Sequence, residues 1–260
     1  MFLIFGCENV DVITPELNYT EKIVVRAELK AYSVFTGVTF TKTLPLNEVY
    51  EIQNAELKNV SAYLRIDGIR IVTLRYSNDG VYLPLDDLNI SPGDTYELFA
   101  EVNGTLIYSK TKIPLLPTIV SASLKGDRVI EVNIKPRSGE VYGAAWEIYN
   151  ASSGNLIDEA TDFKTIFQPN DLEISANELS LDTKDIPEEY LTSYYSSSLY
   201  ASVYAFDKQY LNFFKTKNNN QPTENIFAQG GDKISWNVEG KNVIGLFIGL
   251  ANVSHVTVKK

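Results

Sequence analysis

Apolar and polar residues alternate along much of this chain with the period of two that is typical of half-buried β-strands. The strictest alternation is in Val25–Ala31, where apolar and charged residues take turns. Similar runs recur at short intervals, at Val38–Thr43, Val60–Ile66, Ile69–Tyr76, Tyr96–Ile113, Ile119–Leu124, Val129–Ile134, Gly143–Tyr149, Leu199–Phe206, Lys233–Val238, Val243–Ile248 and Val253–Val258. The pattern predicts a mainly β fold with antiparallel strands.

Turn signals separate several of these runs. Asp67-Gly68 and Asn103-Gly104 each stand between two strand patterns, and Gly126-Asp127 stands between two more. Asp, Asn and Gly accept the positive φ angles of a tight hairpin turn, so we expect β-hairpins at these places. Short strands with frequent turns are typical of sandwiches of the immunoglobulin or transthyretin kind.

Two prolines mark a candidate domain boundary. Pro114 and Pro117 cannot donate ladder hydrogen bonds, so the strand that reaches Ile113 must end there. At 260 residues the chain could form one large sandwich or two smaller domains. We predict two: an immunoglobulin- or transthyretin-like β-sandwich over residues 20–117, and a β-rich domain with one short helix over residues 118–260.

That helix is predicted from a stripe of residues at i, i+3, i+4 and i+7. Tyr210, Phe213, Phe214 and Lys217 occupy these positions, and Asp207 is the candidate N-cap. Asn218–Asn220 and Pro222 would end the helix.

The only cysteine, Cys7, excludes an internal disulfide framework and a thiolate metal cluster. It closes an apolar run, Met1–Cys7, which resembles the lipobox of bacterial lipoproteins, where the thiol receives a diacylglycerol. We therefore predict residues 1–7 as a signal remnant with a lipidated Cys7, a natural start upstream, and residues 8–19 as a tether. The alternative is a buried free cysteine in an amino-terminal strand. No apolar run reaches the roughly 20 residues that span a bilayer, so lipid would be the membrane anchor.

Several motifs resemble the domain-of-unknown-function 4249 family of Bacteroidetes envelope lipoproteins. They are the amino-terminal Cys7, Ser91–Leu98 continuing through Asn103-Gly104 to Thr111–Pro114, Asp207–Thr216, Trp236–Gly240 and Ile244–Phe247. The resemblance implies an envelope lipoprotein that is often encoded near TonB-dependent transporters. It implies no activity, because none is established for the family.

Composition argues against several function classes. A net charge of −10 opposes phosphate backbones, so we expect no nucleic-acid partner. The single histidine, His255, is expected on the solvent side of a strand, which leaves little for acid–base catalysis or zinc. No acidic cluster has calcium-loop spacing, and no nucleophile elbow or nucleotide-binding glycine motif occurs. We therefore expect neither enzyme activity, nor a metal, nor a cofactor. Trp146 and Trp236 could stack on sugars, but their strand patterns favour core positions.

Tyrosine is in excess, with 16 residues. A cluster at Tyr190, Tyr194, Tyr195 and Tyr200 is the candidate partner-binding surface, because tyrosine rings bury much area while keeping a polar tip hydrated. The alternative is that these tyrosines are ordinary residues of half-exposed strands.

The leading functional hypothesis is a non-catalytic lipoprotein of the outer membrane that binds a protein partner there, beside a TonB-dependent transporter. The runner-up is a structural adhesin or fimbria-associated protein, and a carbohydrate-active hydrolase is the third class. The ligand, the membrane face and the oligomeric state stay open at this point.

Overall fold

The fold is seen in a computed structural model that describes residues 19–45, 47–126, 128–160, 162–191, 197–217 and 234–258, without the side chains of residues 197 and 254–257. Its strands are β1 (Ile23–Lys30), β2 (Val38–Lys42), β3 (Ser61–Ile66), β4 (Arg70–Tyr76), β5 (Val81–Pro84), β6 (Thr95–Val102), β7 (Thr105–Lys112), β8 (Thr118–Lys125), β9 (Val129–Lys135), β10 (Glu140–Asn150), β11 (Leu156–Glu159), β12 (Leu179–Asp182), β13 (Ser197–Asp207), β14 (Val238–Glu239) and β15 (Val243–Thr257). The prediction of a mainly β chain is confirmed.

Three α-helices accompany the strands in the described ranges: α1 (Ile52–Ala55), α2 (Asp171–Ala176) and α3 (Tyr210–Lys217), with a 3-10 turn at Glu188–Tyr190. The predicted helix is therefore present as α3. The prediction of a single helix in the second half is wrong, because α2 also forms there. Asn170 caps α2, and Glu173 returns the hydrogen bond in a capping box that fixes this start.

Most strands form one twelve-stranded sheet in the order β11-β10-β13-β15-β1-β2-β5-β4-β3-β6-β7-β14, and β12-β9-β8 form a second sheet. Two of the three predicted hairpin turns lie within the described residues and are present, whereas the third includes Asp127, which lies outside them. Asp67-Gly68 joins β3 to β4 and Asn103-Gly104 joins β6 to β7, each with two positive φ angles. This left-handed pair is what a two-residue turn needs between twisted strands.

The last strand, β15, links the two halves of the large sheet. It pairs in parallel with β1 from Val243 to Leu250, and in antiparallel with β13 from Leu250 to Thr257. The sequence predicts two separate strands here, at Val243–Ile248 and Val253–Val258; the structure joins them into one. The chain needs no turn between the two runs, because a register shift between Ala201 and Val203 of β13, where β15 carries one extra residue, absorbs the change in their alternation.

Two main hydrophobic cores lie on one face of the large sheet. The first is enclosed by the curled part from β15 to β14 and holds fully buried Val25, Phe40 and Leu64. The second lies between the small sheet and the β10–β13 pair, so this part is a two-layer sandwich. The division at Pro117 stays a prediction, but Val238 and Phe247 from the carboxy-terminal part pack into the first core.

Candidate functional site

Two groups of residues stand out for their geometry, and the first is a line of hydrogen bonds where β7 and the segment before β14 meet β15. We call it the seam and define it by Ser109, Thr111, Lys112, Asp207, Asn237, Phe247 and Gly249. Here the Asn237 side chain behaves like a strand backbone. Its Nδ2 donates to the Phe247 carbonyl at 2.6 Å, and its Oδ1 accepts from the Phe247 amide at 2.9 Å. One side chain thus replaces two ladder bonds.

Asp207 connects the two halves of the chain at the seam. Its Oδ2 accepts from the Lys112 amide at 2.6 Å and from the Thr111 hydroxyl at 3.2 Å, and its Oδ1 accepts from the Gln209 amide at 3.1 Å. The sequence predicts Asp207 as the N-cap of α3. The structure corrects this, because Asp207 is the last residue of β13 and its carboxylate turns toward β7.

A glycine allows the close approach that the seam requires. A Cβ atom on Gly249 would lie 2.7 Å from the Lys112 carbonyl oxygen, closer than a carbon and an oxygen can approach. Because glycine has no Cβ atom, the Gly249 backbone can approach β7, and its amide donates to the Thr111 hydroxyl at 2.8 Å. Thr111 is completely buried, and its hydroxyl donates a hydrogen bond to the Asp207 carboxylate.

The seam brings together motifs that are far apart in the sequence. Thr111 and Asp207 are 96 positions apart, and Thr111 and Gly249 are 138 apart. Thr111, Asp207 and Asn237 all belong to the segments that carry the family resemblance. Their shared role in the structure is to close the first core and attach it to the second half.

The second group is a row of aromatic rings on the outer face of the large sheet. Tyr63, Phe99 and Tyr108 occupy directly opposed positions on β3, β6 and β7, and we call them the aromatic row. The Tyr63 and Phe99 rings are stacked, 5.0 Å apart with 12° between their planes. Phe99 and Tyr108 lie 5.1 Å apart and are tilted. This spacing follows from the distance between neighbouring strands.

A charged pair runs beside the aromatic row. The Arg65 Nε donates to Glu97 at 2.8 Å, and the Arg65 guanidinium lies 4.7 Å from the centre of the Phe99 ring. Tyr108 donates to the other oxygen of Glu97 at 3.0 Å. The hydrogen bond from Arg65 lowers the pKa of Glu97 below its usual range, and burial followed by the bond to Glu97 raises the pKa of Tyr108.

A groove of about 630 Å³ adjoins the aromatic row. The three rings line it together with Leu106, which is 72% exposed, and with the carboxylates of Glu101 and Glu239. Neither carboxylate forms an ion pair with any residue that the structure describes. The groove therefore combines apolar area with uncompensated negative charge at its border.

The predicted site residues fall partly outside the described ranges. Cys7, Tyr194 and Tyr195 all lie there, as does most of the predicted tether over 8–19. Tyr190 is half-buried in the 3-10 turn, where it packs against the second core with its ring 6.4 Å from Trp146. Tyr200, on β13, meets the Tyr149 ring edge-on at 5.3 Å. The partner-binding assignment of these tyrosines stays a prediction.

The remaining candidates for chemistry can also be located. Trp146 is buried in the second core as predicted, and Trp236 is half-buried with its ring 5.5 Å from Phe213. The side chain of His255 is outside the described atoms. Within the described ranges, no group of three or more His, Cys, Asp or Glu residues is arranged to hold a metal ion. The helices described are all too short or too polar to cross a bilayer.

The aromatic row does not follow from the alternation of residues along the chain. A partial signal was present, since a two-residue turn at Asn103-Gly104 already places Phe99 opposite Tyr108. The third ring, Tyr63, joins through the pairing of β3 with β6, for which no local signal exists.

Comparison with known proteins gives one family match. No curated protein matches the chain. Among solved structures, the chicken CNTN1 FN1–FN3 domains are similar over 70% of this chain, with 14% sequence identity and a TM-score of 0.24; the match covers 63% of that longer chain. The family model described as a domain of unknown function (DUF4249) matches residues 10–255. The chain belongs to this DUF4249 family.

Proposed function

We propose that this chain is a non-catalytic binding subunit that is anchored to the bacterial outer membrane by lipid on Cys7 and docks a protein partner through the aromatic row. The partner is a membrane protein of the TonB-dependent transporter class. The observation that carries the proposal is a three-ring row on the outer face of the sheet, with Tyr63 exposed and Phe99 and Tyr108 half-buried, beside a groove of about 630 Å³.

The ring geometry favours a protein over a sugar. Sugars stack on an open ring face, whereas the parallel Tyr63 and Phe99 rings cover each other, and Arg65 lies over Phe99. Clustered Tyr, Phe and Arg side chains are instead the usual composition of a protein interface centre. Glu101 and Glu239 at the border suit a partner that brings Lys or Arg beside an apolar ridge.

Crosslinking in native membranes followed by co-purification tests the docking surface. The double variant Tyr63→Ala/Tyr108→Ala should reduce recovery of the partner at least about tenfold, since truncation of interface aromatics typically costs about 2 kcal/mol. The matched control is Tyr50→Ala, because Tyr50 is 58% exposed and lies outside the aromatic row. Equal recovery with the double variant and the control would refute docking through the aromatic row.

A second pair of variants separates the two candidate surfaces. Tyr194→Ala/Tyr195→Ala tests the tyrosine cluster that the sequence favours. Loss of partner in this variant, with the aromatic-row variant unaffected, would move the docking site to the second half of the chain. Loss in the aromatic-row variant alone supports the surface proposed here.

The anchor has its own test. Cys7→Ala, expressed with a complete signal peptide, should leave a folded protein in the soluble fraction, because multiple acyl chains supply the stable anchor. If the variant still sediments with membranes after partner binding is removed by Tyr63→Ala/Tyr108→Ala, lipid on Cys7 is not the anchor.

A further inference from the structure

A second cavity lies on the opposite face of the large sheet from the two main cores. Its volume is about 390 Å³, within the size range of small-molecule sites. One side is formed by α3 with Ala160, Asp162 and Phe163, and the other by β1, β13 and β15. We call it the aromatic cavity, and its lining rings are those of Phe163, Tyr204, Phe206, Tyr210 and Phe213.

The rings of the aromatic cavity hold one another in place. Phe206 and Tyr210 are stacked at 4.1 Å, so α3 is attached to β13 by aromatic contact. Phe163 meets Tyr204 edge-on at 5.2 Å and Phe206 at 5.6 Å. Such interlocked rings need little rearrangement to receive a ligand, which lowers the entropic cost of binding.

The titratable groups with negative charge that line the cavity are Glu28, Glu159 and Asp162, and no described lining residue is basic. Asp162 is already paired, because its carboxylate lies 2.8 Å from the Lys217 ammonium and 3.9 Å from the Lys184 ammonium. Glu28 and Glu159 form no ion pair with the described residues. The cavity therefore has two carboxylates available for a cation.

The pKa values of the two cavity tyrosines are raised, mainly by burial and secondarily by the nearby carboxylates. Burial, and then the charges of Asp162 and Glu28, raise the pKa of Tyr210 to about 12. Burial, and then Glu147, Glu159 and Glu28, raise the pKa of Tyr204. Only the smaller, carboxylate part of each shift reflects negative charge around the cavity.

We propose that the aromatic cavity binds a small organic cation, an amine or quaternary ammonium compound with an apolar body. The negative faces of aromatic rings attract such cations, and the attraction grows when water is excluded. Phe206 and Tyr210 cover each other, so the cation would meet the rings of Phe163 and Phe213. Glu28 and Glu159 add charge at the opening, while Leu246, Ile248 and Leu250 contact the apolar part. This site is separate from the aromatic row, so either proposal can fail without the other.

A pair of isosteric probes isolates the role of charge. Choline and its neutral carbon isostere, 3,3-dimethylbutan-1-ol, have nearly the same shape, and their binding to the full chain is measured by titration calorimetry at low ionic strength. Saturable choline binding at least about tenfold tighter than binding of the isostere supports the proposal. Equal binding of the two probes, or no choline binding, overturns it.

Variants then assign the binding to this cavity. Glu28→Gln/Glu159→Gln should weaken choline binding about tenfold, with circular dichroism confirming the fold, while Glu101→Gln beside the aromatic row should change nothing. Phe213→Leu keeps apolar volume but removes a ring, and should weaken choline severalfold without affecting the neutral isostere. Undiminished choline binding in both cavity variants would place the cation elsewhere and overturn the assignment.

Discussion

The two faces of strand β7 serve different purposes. Ser109 and Thr111 point inward, are almost completely buried, and form hydrogen bonds in the seam. Leu106 and Tyr108 point outward and line the groove beside the aromatic row. Neighbouring positions on one strand thus belong either to the closure of the first core or to the outer surface beside the groove.

This contrast shows which polar and aromatic residues contribute most to the stability of the fold. In the seam, polar side chains replace the ladder bonds that would otherwise be missing between β7 and β15, so each is bound on several sides. Along the aromatic row, the rings contact each other while Tyr63 remains 36% exposed. We therefore expect seam variants to change stability, and aromatic-row variants to change binding with little change in stability.

The largest expected effect is at Asp207. Asp207→Ala leaves the amides of Lys112 and Gln209 without their acceptor in a largely buried place, so we expect a loss of about 3 kcal/mol in the free energy of unfolding. Urea denaturation measures it. Asp207→Asn keeps one acceptor oxygen and should lose about half as much. A loss below about 1 kcal/mol for Asp207→Ala would show that the seam contributes little to the free energy of unfolding.

Asn237 comes next. Asn237→Ala removes both hydrogen bonds to Phe247, and we expect a loss of about 2 kcal/mol together with faster hydrogen exchange of the Phe247 amide. Asn237→Asp is the informative control, because a carboxylate can accept from the Phe247 amide but cannot donate to its carbonyl. Full stability in Asn237→Asp would show that the donated bond is dispensable.

Local patterns were sufficient to predict much of the fold. Alternation located most of the strands, and the two-residue turns at Asp67-Gly68 and Asn103-Gly104 fixed the register of their hairpins. The stripe of residues that begins at Tyr210 predicted α3. Each of these features depends on residues that are close together in the sequence.

Long-range pairing could not be predicted in this way. Nothing local indicates that β15 pairs in parallel with β1, or that Asp207 reaches β7 rather than capping α3. An aspartate near a helix start has a strong local role, and a competing tertiary contact 95 residues away leaves no sequence signal. The aromatic row was missed for the same reason, since Tyr63 meets Phe99 only through the nonlocal pairing of β3 with β6.

Truncation within the aromatic row should have a small effect on stability. Tyr63→Ala removes a partly exposed ring and one stacked contact with Phe99, so we expect a loss of about 1 kcal/mol or less. Thermal unfolding of Tyr63→Ala and Asp207→Ala under the same conditions compares the two variants directly. Loss of stability in Tyr63→Ala equal to that in Asp207→Ala would show that the row is part of the structural closure and would weaken its assignment as a docking surface.

The smallest expected effect is a pH dependence at the edge of the aromatic row. The hydrogen bond from Arg65, assisted by Tyr108, holds the pKa of Glu97 below the value it has in the unfolded chain. A carboxyl group of this kind stabilises the fold above its unfolded pKa, about 4.3, and loses that contribution as the pH falls toward the folded value.

The parent protein should therefore lose stability more steeply than Glu97→Gln between about pH 5 and pH 3 in urea denaturation. Solvent screening of Arg65, whose side chain is 38% exposed, keeps the difference small. Glu101→Gln, which alters an exposed carboxylate without an ion pair among the described residues, is the matched control for the loss of one acidic group. Parallel acid curves for the parent and Glu97→Gln would mean that the pair with Arg65 contributes nothing to the folded state.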